Sequence, residues 1–382
     1  MIKKIAYCIP GLYYPSGMER VLTLKANYLA AQTDKYEIYI ILTEGHDKPP
    51  YYPLLPQIHV VQLDINFDDL YTVSAIKKIS GYFQKQKLFK RRLRDCLEQI
   101  KPDITISLLR REINFINQIK DGSIKLGEIH FSRANYRDFR NNRLPAFIQR
   151  VVAKYWMGQL IRELKKLSRF IVLSEEDKEM WTELDNVSVI YNPLPFYLEE
   201  TASCSSKKVI AVGRLVPQKG FDMLIDSWKI VAEKHPDWTL SIYGDGMREE
   251  LQAKIDAYQL QGKCVLEHSV SQITEKYLES SIFVLSSRYE GFGMVIIEAM
   301  ACGLPAVAFT CPCGPKDIIQ DGVDGLWVEN GNIQDMANKI GYLIEHEEER
   351  KRMGQAARNN VKRFSLENTG RQWEELFDNL KI

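Results

Sequence analysis

The sequence predicts an α/β fold in two doubly wound domains, each a parallel sheet with helices on both faces. Three observations carry that expectation. Short apolar, β-branched runs alternate with stretches of helical periodicity along most of the chain, which is the pattern of repeated βα units. The chain has 382 residues, too many for one ordinary core, and so points to two domains of about 190 residues each. Charge divides the same way. Residues 1–190 carry 30 Lys/Arg against 22 Asp/Glu, a net +8, whereas residues 191–382 carry 21 against 28, a net −7. The basic half is expected to face something anionic.

Composition narrows the class. Apolar residues make up 45% and charged residues 26% of the chain, as in soluble globular proteins. No apolar run approaches the roughly 18 residues that cross a bilayer. The N-terminus, MIKKIAYCIPG, enters a strand directly and lacks a signal peptide's apolar core, so a cytoplasmic location is expected. Seven scattered cysteines agree with a reducing compartment. Cys311 and Cys313 stand close together without a second pair nearby, which reads as free thiols rather than a metal site.

In the first half, Lys3–Ile9 reads as a strand, followed by a loop to Ser16-Gly17, where a helix opens. Val21, Leu22, Leu24, Tyr28 and Leu29 form that helix's apolar stripe. Strand, glycine-bearing loop and helix start make the first unit of a doubly wound sheet, with Gly17 at its ligand edge. Further strands are expected at Glu37–Leu42, Ile58–Leu63, Asp103–Leu108, Lys125–Ile129, Phe170–Leu173 and Val187–Tyr191. His130 follows the Lys125–Ile129 run, at the carboxyl edge where such sheets bind ligands. Two segments supply the positive charge. Lys77–Arg94 holds eight basic residues among Ile79, Tyr82, Phe83, Leu88, Phe89 and Leu93. Arg133–Arg169 mixes Arg137, Arg140, Arg143, Arg150, Lys154 and Arg162 with Phe139, Phe147, Tyr155 and Trp156. Basic helices with an aromatic face suit an anionic membrane surface; the alternative is a solvated face over ordinary core. No recognition motif accompanies the charge, so nucleic acid is not expected as a partner.

In the second half, the polar stretch Glu199–Ser206 reads as the interdomain linker. Lys207–Val212 is the next strand, and Gly213-Arg214-Leu215-Val216-Pro217-Gln218-Lys219-Gly220 follows it. This loop brings Arg214, which forks a phosphate, and Lys219, a point charge, near one helix start at Phe221. Trp238–Tyr243 leads into the tight turn Gly244-Asp245-Gly246. Ser281–Ser287 is a buried strand, and Met294–Cys302 is a helix that stops at Gly303. Between them lies Glu290-Gly291-Phe292-Gly293. The free N–H groups and positive end of a helix opening at Met294 suit an anion or a ring of hydroxyls. Glu290 and Glu298, with seven residues between them, bracket that turn. Ala306–Phe309 and Leu326–Val328 complete the sheet, and Phe364–Leu380 is an amphipathic helix.

The Glu290–seven residues–Glu298 pattern after a strand resembles the signature of the retaining glycosyltransferases of family 4. The G-R-x(4)-K-G run at Gly213–Gly220 matches that family's diphosphate-binding pair. Ser16-Gly17 stands where family members usually carry a double glycine, and Gly244-Asp245-Gly246 resembles their G-D-G. The run after Phe309 is similar to transferases that use UDP-galactose-type or UDP-N-acetylhexosamine donors in surface-glycan assembly. The resemblance implies two Rossmann-like domains facing across a cleft, the B-type architecture. It implies residues 1–192 as acceptor-binding domain, 193–364 as nucleotide-sugar domain, and 365–382 as a helix packing back on the first. It also implies roles. Glu290 and the backbone of Gly291, Phe292, Gly293 and Met294 hold sugar hydroxyls. Arg214 and Lys219 neutralise the diphosphate, and Glu298 binds the ribose. His130 touches the sugar, Gly17 faces the diphosphate, and a loop at Val265–Val270 edges the base. The acceptor is a glycan or a lipid-diphosphate-linked group, and the departing phosphate accepts its proton. No D-x-D motif is present, so neither a metal nor any other cofactor is expected. The chain also lacks G-x-G-x-x-G and G-x-S-x-G, against a nicotinamide dehydrogenase and an α/β hydrolase. A UDP-sugar epimerase of the same architecture and a non-catalytic sugar-nucleotide-binding subunit are the alternatives.

Overall fold

The structure is a computed structural model and describes residues 2–72, 74–133 and 146–380. The chain forms two compact units, Met1–Pro193 with Leu366–Ile382, and Leu194–Ser365.

Unit 1 contains the strands β1 (Lys3–Ile9), β2 (Tyr36–Leu42), β3 (His59–Gln62), β4 (Ile104–Ser107), β5 (Ile124–Glu128), β6 (Arg169–Val172) and β7 (Val187–Val189). They lie in the order β3-β2-β1-β4-β5-β6-β7, with every pairing parallel. Its helices are α1 (Gly17–Ala30), α2 (Ala75–Ile100), α3 (Ala146–Leu164) and α4 (Glu175–Met180). The strict alternation of a strand explains the two cores. In β1, Ile5, Tyr7 and Ile9 enter one apolar cluster while Ala6 and Cys8 enter the other.

Unit 2 contains β8 (Lys208–Val212), β9 (Thr239–Tyr243), β10 (Cys264–Glu267), β11 (Ile282–Leu285), β12 (Ala306–Phe309) and β13 (Gly325–Val328). Their order is β10-β9-β8-β11-β12-β13, and every pairing is again parallel. Its helices are α5 (Phe221–Lys234), α6 (Arg248–Ala257), α7 (Ile273–Leu278), α8 (Met294–Ala301), α9 (Pro315–Ile318), α10 (Ile333–Glu345) and α11 (Glu347–Asn360). The central strands β11 and β12 are buried at every residue. This is why they read as continuous apolar runs rather than alternating ones.

The last helix, α12 (Leu366–Asp378), belongs to unit 1. Trp373 and Phe377 join the core beside β1. Tyr28 of α1 and Gln32, just past its end, both donate to Glu374 Oε1, at 2.8 and 3.0 Å. A Cβ at Gly370 would lie 2.2 Å from the Tyr28 ring, so the two helices approach this closely only across a glycine.

Two expectations are corrected. Glu199–Ser206 is not a linker between the units but part of unit 2. Its carbonyls are claimed by arginines: Arg358 donates to the Glu199 and Glu200 oxygens at 2.9 Å, and buried Arg350 to Cys204 O at 2.8 Å. The segment Val265–Val270 is not all loop, because Cys264–Glu267 pairs with β9 as the edge strand β10. Only the residues after Glu267 are loop. Of the second basic segment, Arg137, Arg140, Arg143 and Phe139 fall outside the described residues.

Candidate active site

In a doubly wound sheet, ligands bind at the carboxyl ends of the strands where the order reverses. In unit 2 that reversal lies at β8, flanked by β9 and β11. The loop after β8, Gly213–Gly220, therefore meets the loop after β11, Ser286–Gly293. Backbone geometry sets how close they come. Gly220 has φ +63°, and a Cβ there would sit 2.0 Å from Ser286 O. Gly314 has φ +114°, and its Cβ would meet Phe292 O at 1.7 Å. Neither approach tolerates a side chain. Hydrogen bonds then stitch the loops: Ser286 Oγ to Lys219 O at 2.9 Å, Gln218 Nε2 to Tyr289 O at 3.0 Å, and Arg288 N to Gln218 O at 2.8 Å. The Arg288 guanidinium forks Asp222 at 2.9 and 2.7 Å. Hydrogen bonding from Arg288 holds the Asp222 carboxyl below the usual range.

The stitched loops bring Lys219 and Glu290 together. Lys219 Nζ donates to Glu290 Oε1 at 2.7 Å, with side chains only 14% and 7% exposed. Ser287 Oγ donates to the same oxygen at 2.6 Å. A largely buried ammonium and a buried carboxylate are each costly alone, so the pair holds both in place. Glu298 lies one turn into α8, is 4% exposed, and receives the Tyr277 hydroxyl at 3.5 Å. Phe292 is buried while Gly291 and Met294 are half-buried. Gly293 caps α8 in the left-handed region at φ 101°. Arg214 is exposed on the same loop as Lys219. Two cations, two carboxylates and a helix N-terminus thus occupy one sheet edge, an arrangement suited to an anion beside a polyhydroxylated group.

Val270 is exposed at 41%, on the loop after β10. That loop is tethered by Asp245: His268 Nδ1 lies 2.7 Å from Asp245 Oδ1, and Ser269 N donates to Oδ2 at 3.2 Å. Hydrogen bonds from Ser269 and then His268 hold the Asp245 carboxyl down at about 2.

In unit 1, His130 leaves β5 and places Nε2 3.2 Å from Glu128 Oε1. Glu128 pairs through its other oxygen with Lys25, both side chains almost fully buried. The Lys25 ammonium also lies 3.9 Å over the Trp373 ring and 5.0 Å from the Tyr7 ring. Burial alone would raise the Glu128 carboxyl, but Lys25 and then His130 overcome it and hold it at about 2. Burial pushes the Lys25 ammonium below its ordinary value. Gly17 opens α1, and a Cβ built on it would meet nothing within 4 Å.

Sequence reasoning found the residues around Lys219 and Glu290 but not their contact with each other, nor Ser287 and Asp222. It also missed Lys25 and Glu128, since a lysine inside an apolar helix stripe carries no signal until its partner is placed. Asp245 carried one, as the middle of the G-D-G turn.

Residues 199–360 match the family model described as Glycosyl transferases group 1. An uncharacterized glycosyltransferase of Haemophilus influenzae is 28% identical over 98% of this chain and 99% of its own. The amylovoran biosynthesis glycosyltransferase AmsD of Erwinia amylovora is 35% identical over 55% of this chain and 62% of its own length. Among solved structures, a mutant of S. aureus TarM in complex with fondaparinux, alpha-GlcNAc-glycerol and UDP superposes with a TM-score of 0.75. It covers 99% of this chain and 100% of that one at 18% identity. At that identity the likeness shows the fold. The family match and the relatives support a glycosyltransferase of the two-Rossmann, B-type architecture, related to surface-glycan transferases.

Proposed function

We propose that this chain is a retaining glycosyltransferase of family 4. It moves a hexose or N-acetylhexosamine from a UDP-sugar to a glycan acceptor, lipid-linked, in the assembly of a bacterial surface polysaccharide, lipopolysaccharide or glycoprotein glycan. The observation that carries this reading is the Lys219–Glu290 pair at the switch point of unit 2, inside the matched residues 199–360. Relatives similar to this chain over 55% and 57% of its length act in amylovoran biosynthesis or on poly(ribitol-phosphate), as their names state.

The chemistry follows from charge. Cleaving the bond from the sugar's anomeric carbon to the diphosphate leaves negative charge on UDP. Arg214 and Lys219 stabilise it as it develops, and no metal is required. Glu290, with the backbone N–H groups of Gly291 to Met294, holds the sugar hydroxyls, and Glu298 holds the ribose. Val270 edges the base, Gly17 lies against the diphosphate, and His130 touches the donor sugar. The acceptor oxygen bonds to the anomeric carbon on the face the diphosphate leaves, and its proton passes to a phosphate oxygen. The test is a UDP-release screen across nucleotide sugars, with and without lipid-diphosphate acceptors, followed by NMR of the product's anomeric proton. An inverted linkage, an isomerised free sugar nucleotide, or no turnover of any donor would overturn it.

A further inference from the structure

Glu128 ends β5 and His130 follows two residues on, a spacing that puts side chains of extended backbone on one face. The ring Nε2 of His130 is buried and makes no straight hydrogen bond among the described residues, yet it lies 3.2 Å from Glu128 Oε1. Glu128 Oε2 accepts from Lys25 of α1. The Lys25, Glu128 and His130 side chains are only 3%, 2% and 5% exposed. The rings of Trp373 and Tyr7 hold the Lys25 ammonium from its other sides.

Stability does not account for burying three ionisable groups together. An apolar pair of similar volume is often as stable as a buried ion pair, or more so, and the neighbours of Lys25 on α1, Leu22, Ala26 and Leu29, do enter an apolar core. Ionisable groups buried at the ligand edge of a sheet are candidates for function instead. What this arrangement can do is fix a proton. Against burial, Lys25 and then His130 hold the Glu128 carboxyl at about 2, so at neutral pH it is an anion. A carboxylate beside one imidazole nitrogen keeps the proton on that nitrogen, here Nε2, and leaves the lone pair on the other, Nδ1. Lys25 occupies the second carboxylate oxygen and so keeps Glu128 from turning away or taking up a proton.

We propose that Lys25 and Glu128 are positioning residues for sugar transfer: Lys25 orients Glu128, and Glu128 holds His130 in the Nε2–H tautomer, so that Nδ1 accepts a hydroxyl of the donor sugar. The proposal rests on the reading of His130 as a donor-sugar contact and adds to it two residues that touch no substrate.

The experiment compares the parent chain with Glu128→Gln. The glutamine oxygen must face the Lys25 ammonium, so its NH2 faces Nε2, which becomes an acceptor, and the ring proton moves to Nδ1. Nitrogen-15 NMR of the histidine rings, at a pH where they are neutral, reads the tautomer, and loss of signals in His130→Ala assigns them. The parent should show the Nε2–H form and Glu128→Gln the Nδ1–H form. With the UDP-sugar that the parent turns over, Glu128→Gln should lower kcat at least tenfold and leave the donor KM within twofold. In the His130→Ala background the same change should cost less than twofold, because it acts through the ring. The double change Lys25→Met with Glu128→Leu controls for folding. Its urea midpoint should match or exceed the parent's, while its kcat should fall at least fivefold. An unchanged tautomer in Glu128→Gln, a folded double variant with parental kcat, or an equal loss in the His130→Ala background overturns the proposal. If Glu128→Gln does not fold, the double variant decides, by whether its ring loses the single tautomer and its kcat falls. A parent that turns over no UDP-sugar overturns the transferase reading instead, and the tautomers then decide whether the pair holds His130.

Discussion

Two ion pairs set the expectations for single residues. Arg214→Ala and Lys219→Ala should each lower kcat/KM by about 2–4 kcal/mol, the range for lost electrostatic donors. Because Lys219 is bonded to Glu290, Lys219→Ala also leaves a buried carboxylate without its cation. The double change with Glu290→Gln should therefore cost less than the sum of the singles. Losses below threefold for both Arg214→Ala and Lys219→Ala would remove them from the chemistry. The Lys25–Glu128 pair is buried more deeply, and Lys25→Met should destabilise unit 1 by about 3–5 kcal/mol. Its pH dependence has a definite sign. The folded Glu128 carboxyl sits at about 2 against an ordinary 4.5, so its contribution is complete above 4.5 and is lost as pH falls toward 2. Urea midpoints at pH 6, 4 and 3 should fall less steeply for Glu128→Gln than for the parent chain. Parallel curves would rule out Glu128 as a source of acid sensitivity.

Helices α2 and α3 divide their apolar and basic residues between the core and an exposed face. In α2, Phe89 and Leu93 are core, while Lys85 serves the Ile65 carbonyl at 2.6 Å and Arg92 the Asp64 carbonyl at 3.0 Å. Yet Ile79 and Phe83, one turn apart, are 63% and 61% exposed, and Phe147, Val151 and Tyr155 of α3, at spacing four, are each about two-thirds exposed. Lys77, Lys78, Lys87 and Arg91 are exposed beside the first pair. An apolar stripe flanked by cations suits an anionic bilayer surface, where each exposed cation contributes about 1 kcal/mol. The chain should sediment with vesicles containing phosphatidylglycerol, leave them in high salt, and bind neutral vesicles weakly. Changing Lys77, Lys78, Lys87 and Arg91 to Glu should weaken sedimentation and spare turnover of a soluble acceptor fragment. Equal partition onto both vesicle types, or onto neither, would return these residues to a solvated face. No helix among the described residues is long and apolar enough to cross a membrane.

For the whole molecule, the two units repeat one strand order, and each has a crevice-forming reversal at its first strand. In unit 2 the reversal gathers Lys219, Glu290 and the start of α8. If Arg214 and Lys219 replace a metal at the diphosphate, transfer should persist in excess EDTA. Loss of activity restored by Mg²⁺ or Mn²⁺ would require a different account of the leaving group. The C-terminal helix binds the ends of the chain into unit 1 through Trp373, Phe377 and Glu374. Its amphipathic pattern was legible in the sequence, because an apolar stripe at helical spacing needs a partner surface whatever that surface is.

Periodicity and spacing determined the strands of both sheets to within a residue or two at most ends. They also determined the glycine turn before α8 and the residues at the edge of unit 2, since these depend on local propensity and chain order. The edge strand β10 escaped because its four residues carry little periodic signal, and Glu199–Ser206 looked like a linker because polar residues hide backbone contacts. Tertiary structure alone decided which charges meet. Lys219 lies 71 residues from Glu290 and Lys25 lies 103 from Glu128. Such pairs form where a sheet order brings distant parts of the chain together, and desolvation there makes each charge depend on its partner.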